Sequence, residues 1–316
     1  MKKYMILILL VAALAACLLG CGSNAKEQEQ AVEEGITDTD ALAENSILPT
    51  EGALSLLQYC DGNITLRFSH DTETNAWRWV DEPTFPLDSA KVDEIVAALT
   101  ALGQLEKISA PTELEAYGLE EPLKYLTLKT ETVDGILYIG NQGEDGSWYA
   151  SLEGYEDVFI LPDTFVQLLS RSIYDMAVLP TLPAFTAENL LSVAVEDSDR
   201  RVFMHQTEGA WKSVSEQLVG RAGEVVNTLA SLQMSKCFDF LPSQQAMKIM
   251  GFSTPTATVT VEYLNSVNVE TTFTLTLGSL RSAEEGYYAT INNDSTVYLI
   301  PAAQVSPLLV LLIYAK

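Results

Sequence analysis

Histidine is nearly absent from this chain, with two in 316 residues, and cysteine is rare, with four. Neither His70 nor His205 has a second histidine or a cysteine nearby at the spacing a zinc site uses. Acidic stretches such as Glu196-Asp197-Ser198-Asp199 and Asn292-Asn293-Asp294 lack the alternating order and glycine of a calcium loop, so they read as solvated turns. Basic residues are also few: 18 Lys and Arg stand against 43 Asp and Glu, a net charge of −25. Such a surface repels phosphate backbones and anionic headgroups, which excludes nucleic acid as a partner. Nucleophile contexts are missing as well. There is no Gly-x-Ser-x-Gly elbow and no Ser-x-x-Lys followed by Lys-Thr-Gly. Gly140-Asn141-Gln142-Gly143 has no Gly-Lys-Ser/Thr after it and reads as a turn rather than a phosphate loop. In so acidic a chain, neighbouring carboxylates cannot by themselves nominate a glycosidase pair. No catalytic residue, metal or cofactor is expected.

No apolar run is long enough for a spanning helix of roughly 20 residues. The longest, 5–19, follows Lys2 and Lys3 and ends in small residues, the layout of a secretory signal. Leu14-Ala15-Ala16-Cys17 and Leu18-Leu19-Gly20-Cys21 both resemble the bacterial lipobox, in which the cysteine is acylated and becomes the mature N-terminus. Cleavage before Cys17 would leave only about ten apolar residues, near the short end for such a signal. Polar, flexible Gly22-Ser23-Asn24 follows Cys21. Cys21 is therefore the expected lipid (palmitate-type) attachment site, with Cys17 as the alternative. An ordinary signal peptide whose cysteines do nothing is a minor alternative.

Residues 1–20 are thus read as a lipoprotein signal peptide and 21–52 as an acidic flexible tether. Eight carboxylates (Glu27, Glu29, Glu33, Glu34, Asp38, Asp40, Glu44 and Glu51) stand there against Lys26 alone, with no aromatic residue. Too little apolar surface is available to offset the entropy of ordering. A coil of about 28 residues reaches roughly 30 Å, enough to hold a folded body off a membrane. Cys60 and Cys237 remain in that body. They fall at non-equivalent places, so two buried free thiols are expected, with a disulfide as the alternative in an oxidising compartment.

The rest of the chain echoes itself at a spacing of 130 to 140 residues. Tyr117-Gly118-Leu119-Glu120-Glu121-Pro122 is answered by Met250-Gly251-Phe252-Ser253-Thr254-Pro255, and Ile139-Gly140 by Leu277-Gly278. Trp148-Tyr149-Ala150 is answered by Tyr287-Tyr288-Ala289, and Val158-Phe159-Ile160-Leu161-Pro162 by Val297-Tyr298-Leu299-Ile300-Pro301. Upstream, Ala76-Trp77 matches Ala210-Trp211, and Ile95, Val96, Leu99 and Leu102 match Val225, Val226, Leu229 and Leu232. The two histidines, six or seven residues ahead of the repeated tryptophan, read as one hairpin position carried in both halves.

Each half has the same plan. Strands are expected at 64–69, 77–80, 124–130, 136–139, 148–152 and 158–161, with a tight turn at Asp134-Gly135, where both residues tolerate positive φ. Asp88 suits a helix cap ahead of Val92, Ile95, Val96, Leu99 and Leu102, which share one helical face. In the second half Val259, Val261 and Tyr263 alternate with Thr258, Thr260 and Glu262, as in an antiparallel sheet with one wet face. Short helices at 163–171 and 302–313 close the halves. The fold class is therefore α+β: two tandem units, each a mainly antiparallel sheet with helices packed on one face. The units span 53–178 and 189–316, joined by a Pro-containing connection at 179–188, where Pro180 and Pro183 resist helix and central strand alike. The recurrent aromatics Trp77, Trp148, Tyr149, Trp211, Tyr287 and Tyr288 are expected to pack between sheet and helices. Trp79, which has no counterpart, is expected to be exposed.

The helix, the Tyr-Gly-Leu-x-x-Pro turn, the Ile-Gly strand end and the Val-Phe-Ile-Leu-Pro strand resemble the bacterial family catalogued as domain of unknown function 4340, in two copies over most of 53–316. The resemblance implies an envelope lipoprotein, and in some members a place beside components of gliding-associated ABC transporters. It carries no catalytic residues. The expectation is a non-enzymatic, lipid-anchored extracytoplasmic binding or scaffolding protein, attached to the membrane by its N-terminal lipid and accessory to an envelope partner such as a transporter subunit. A saccharide or cell-wall ligand binder is the alternative, and an envelope hydrolase the third reading.

Overall fold

The computed structural model describes residues 54–315 apart from 104, 110, 112 and 131–133. The leader, the tether and both candidate lipid-site cysteines, Cys17 and Cys21, lie outside the described residues. In the first half the strands are β1 (Leu56–Asp61), β2 (Thr65–Asp71), β3 (Ala76–Trp79), β4 (Lys107–Ile108), β5 (Lys124–Lys129), β6 (Asp134–Gln142), β7 (Trp148–Leu152) and β8 (Val158–Leu161). The second half supplies β9 (Leu190–Glu196), β10 (Arg201–Thr207), β11 (Ala210–Ser213), β12 (Lys236–Asp239), β13 (Ala257–Leu264), β14 (Glu270–Ser282), β15 (Gly286–Ile291) and β16 (Val297–Ile300). They form two eight-stranded sheets, of order β3-β2-β1-β5-β6-β7-β8-β4 and β11-β10-β9-β13-β14-β15-β16-β12. The second order is the first displaced by eight strands, and the pairings are antiparallel throughout.

Alternation dictates which face is buried. Ala257, Val259 and Val261 of β13 are buried and pair in register with Leu277, Leu275 and Phe273 of β14. Thr258 and Thr260 between them are partly exposed and Glu262 is exposed. Leu126 and Leu137 make the corresponding buried pair in the first sheet.

Helices are short: α1 (Ser89–Ala101), α2 (Asp163–Leu168), α3 (Glu216–Val219), α4 (Ala222–Ala230), α5 (Gln244–Ile249) and α6 (Ala302–Val310). Asp88 caps α1, its carboxylate accepting from the Ala90 amide at 3.2 Å, and Val92, Ile95 and Leu99 form the buried stripe. Val225 and Leu229 do the same on α4. These residues join the strand residues of both halves in one hydrophobic core cluster. The closing helices end earlier than their apolar pattern does: α2 stops at Leu168, and α6 passes into a 3-10 turn, Leu311–Tyr314.

Three expectations are corrected. Asp134 and Gly135 are not a turn; they lie in β6, opposite Lys129 and Leu128, and Gly135 has no positive φ. Their composition fits a turn, but register with a buried strand outweighs local propensity. Trp79 is half-buried rather than exposed: its ring lies edge-on to Phe85 at 5.4 Å, and Phe85 in turn meets Phe240 of the second half. The histidines are not one repeated position. His70 pairs with Trp77 across β2 and β3, whereas Gln206 pairs with Trp211 across β10 and β11. His205 therefore corresponds to Ser69, and a shift of one residue on a strand turns the side chain to the opposite face.

Candidate binding surfaces

The repeated glycines build the same interlock in each half. Gly118 and Gly251 have φ of 68° and 88°, in the left-handed region open to glycine. A Cβ on Gly118 would lie 2.5 Å from the Asn141 amide oxygen, and one on Gly251 would lie 2.7 Å from the Ser279 nitrogen. Gly140 and Gly278 take the other side of the contact, where a Cβ would meet the carbonyls of Tyr117 and Met250. The turn thus sits directly on the strand at the place where β6 and β14 shift register against β7 and β15. An aromatic covers each junction: Tyr117 meets Tyr149 at 4.9 Å, and Phe238 meets Tyr288 at 4.9 Å.

A seam joins the halves. The 3-10 turn Ile173–Met176 of the first half packs along β12, the edge strand of the second sheet. Tyr174 donates its hydroxyl proton to Asp239 at 3.1 Å, and Lys236 pairs with Asp175 at 2.7 Å. Phe85 places its ring edge against Phe240 at 5.4 Å and against Tyr174 at 6.2 Å. Burial, then the Asp239 carboxylate, raises the Tyr174 phenol above its ordinary range. Burial works upward on Asp175 too, but hydrogen bonds from Lys236 and Ser172 outweigh it and hold the carboxyl low. Cys237, buried in β12, is pushed up to about 11 by desolvation and then by Asp239, so its thiol stays protonated at neutral pH. Both Cys60 and Cys237 are free, but Cys60 is only half-buried. It lies in β1 on the face opposite Leu57 and Tyr59.

Two shallow clefts flank the connection beside the seam. One of about 460 Å³ is lined by 179–184 together with Ala230, Leu232, Gln233 and Met234. The other, about 570 Å³, shares Pro183 and Ala184 and extends to Tyr263 and the hairpin tip at Asn265, Ser266 and Asn268. The connection itself has neither helix nor strand from 179 to 184.

One constellation escaped the linear reading. Ser192, His205 and Glu262 are neighbours across β9, β10 and β13, on the face opposite Val193, Met204 and Val261. Ser192 donates to Glu262 at 2.7 Å. The order is acid, hydroxyl, imidazole, whereas a serine hydrolase needs the imidazole in the middle to take the hydroxyl proton. His205 stacks on Phe203 at 5.4 Å, and its buried Nδ1 has no partner. Only strand register brings these residues together, so spacing along the chain gave no signal. Among the described residues no three His, Cys, Asp or Glu side chains group as a metal site, and no helix is long and apolar enough to cross a membrane.

A family model described as a domain of unknown function, DUF4340, matches residues 77–248, just over half of the chain. The chain belongs to the DUF4340 family. The DUF4340 match starts in β3 and ends in α5, so it crosses the seam and is in register with neither half. No curated protein and no solved structure matches the chain.

Proposed function

We propose that this DUF4340 protein is a lipid-anchored, extracytoplasmic binding or scaffolding protein without catalytic activity, accessory to an envelope assembly of the ABC-transporter kind. The observation that carries the reading is the pair of sheets with one strand order but different outer surfaces. We read them as two tandem copies of one α+β unit, with helices on one face of each sheet and the other face free. On the face away from the core the first sheet has Arg67, Gln58 and Thr127 across its strands, where the second has exposed Phe203, a buried Ala194 and Thr260. A scaffold kept twice while its faces diverge suits recognition of two different surfaces. The leader that resembles a lipobox and the acidic tether supply the address, with Cys21 as the acylated residue and the acyl chains as the membrane contact.

The test is affinity isolation of the full-length chain from solubilised membranes. An envelope protein should co-purify in fixed stoichiometry, and the double variant His70→Gln/His205→Gln should retain it. Turnover of a cell-envelope substrate by the purified protein, abolished by that double variant, would overturn the non-enzymatic reading.

A further inference from the structure

At one end of the first sheet the hairpin after β1 meets the turn that leads into β5. A Cβ on Gly62 would touch Leu123 at 3.8 Å. Three large apolar side chains on these two turns stand in the open: Leu123 is 74% exposed, Ile64, two residues past Gly62, 58%, and Leu114, whose carbonyl accepts from the Leu119 amide at 3.0 Å, 40%. Glu113 and Glu115 flank Leu114, and Glu120 and Glu121 shortly precede Leu123; all four are exposed, and none has an ion-pair partner among the described residues. The adjoining cation, Lys124, lies over the Trp148 ring at 3.9 Å and forms no ion pair with them.

The second half shows that the fold does not require this composition. Its matching turn makes the same glycine interlock with Ala246, Met247, Lys248, Ser253 and Thr254 in place of Glu113, Leu114, Glu115, Glu120 and Glu121. Thr256 replaces Leu123, and its hydroxyl donates to the Gly278 carbonyl at 2.6 Å. Four carboxylates on one turn, between residues 113 and 121, repel one another, and an exposed leucine gains nothing from water. Neither feature stabilises the turn.

We infer that this apolar patch with its unpaired carboxylates is the docking surface for a basic amphipathic segment of a protein partner. The apolar side chains supply buried area, and the carboxylates select Lys and Arg at the rim, where complementary charge governs encounter and register. The charge fixes the occupant's sign. An anionic membrane surface and a second copy of this chain at −25 would both be repelled.

This rests on the binding role proposed above, and the experiment separates the two. A synthetic amphipathic peptide of Lys and Leu is titrated against the full-length chain, with a Glu and Leu peptide as counterpart. The patch variant (Glu113→Ala, Glu115→Gln, Glu120→Ser, Glu121→Thr, Leu123→Thr) takes residues the second half already tolerates at all but one position. A control variant removes as many exposed carboxylates from the second half (Glu208→Gln, Glu216→Gln, Glu270→Gln, Glu284→Gln). The patch variant should bind the basic peptide roughly tenfold more weakly, the control should stay within about twofold, and the acidic peptide should not bind. Equal weakening in both variants, or no binding of the basic peptide, would refute the docking site. In cells, a photoreactive residue at position 123 should crosslink to a protein segment rich in Lys and Arg. Crosslinks to lipid or to a second copy would also refute it. A partner recovered undiminished with the patch variant would refute this surface while leaving the binding role intact.

Discussion

Gly118 illustrates how much one residue decides. Its left-handed backbone and its contact with Asn141 both exclude a side chain. Gly154 has a similar φ of 86° but open space around it. Gly154→Ala should therefore cost only the backbone strain, about 1 kcal/mol, while Gly118→Ala adds a steric clash and should cost roughly 2–4 kcal/mol. Urea unfolding of the two variants checks the difference; equal costs would show that the turn yields. Cys237 makes a second prediction at this scale. Its thiol is raised in the folded state, so its burial stabilises fully below the unfolded thiol value, and that contribution is lost as pH rises toward about 11. Stability measured from pH 8 to 11 should fall in wild type and fall less in Cys237→Ala. Peptide-mapped alkylation at pH 8 should modify Cys237 only after unfolding.

Edge strands are where a sheet invites unwanted pairing, and β12 meets this by lying against the turn Ile173–Met176. The seam combines an apolar contact with a polar one, and their energies differ. Lys236 and Asp175 are each about two-fifths exposed, so solvent screens the pair, and a double-mutant cycle should give no more than about 1 kcal/mol. Phe85 is buried between Trp79, Tyr174 and Phe240. Phe85→Ala should cost about 3–5 kcal/mol and separate the unfolding of the two halves into distinct calorimetric transitions. A single cooperative transition in that variant would show that the core cluster elsewhere couples the halves.

At the scale of the molecule, one strand order is used twice, and the two sheets' halves of the chain meet at a seam. The proposed address is tested here. Metabolic labelling with a fatty-acid analogue should mark the wild-type protein, and Cys21→Ser should abolish the label. Label that persists in that variant and disappears in Cys17→Ser would reassign the anchor.

The sequence by itself determined the elements whose signal is periodic or capped. Asp88 with Val92, Ile95 and Leu99 specified α1, and the alternation from Thr258 to Tyr263 specified β13 with its buried face. The echo of Gly118 and Gly140 in Gly251 and Gly278 was legible because a side chain is excluded at each, whatever surrounds them. Only the tertiary structure decided register and contact. Asp134-Gly135 went into β6 rather than a turn, and the histidines fell on opposite faces, because a slip of one residue inverts a strand and nothing local encodes it. Trp79 packs on Phe85, whose ring is in turn met by Phe240, far away in sequence. The seam joins Tyr174 to Asp239 and the row of Ser192, His205 and Glu262 joins Ser192 to Glu262, residues dozens of positions apart. The apolar and acidic patch was present in the sequence as letters, but its meaning required knowing that the turn is exposed and that its counterpart folds without those residues.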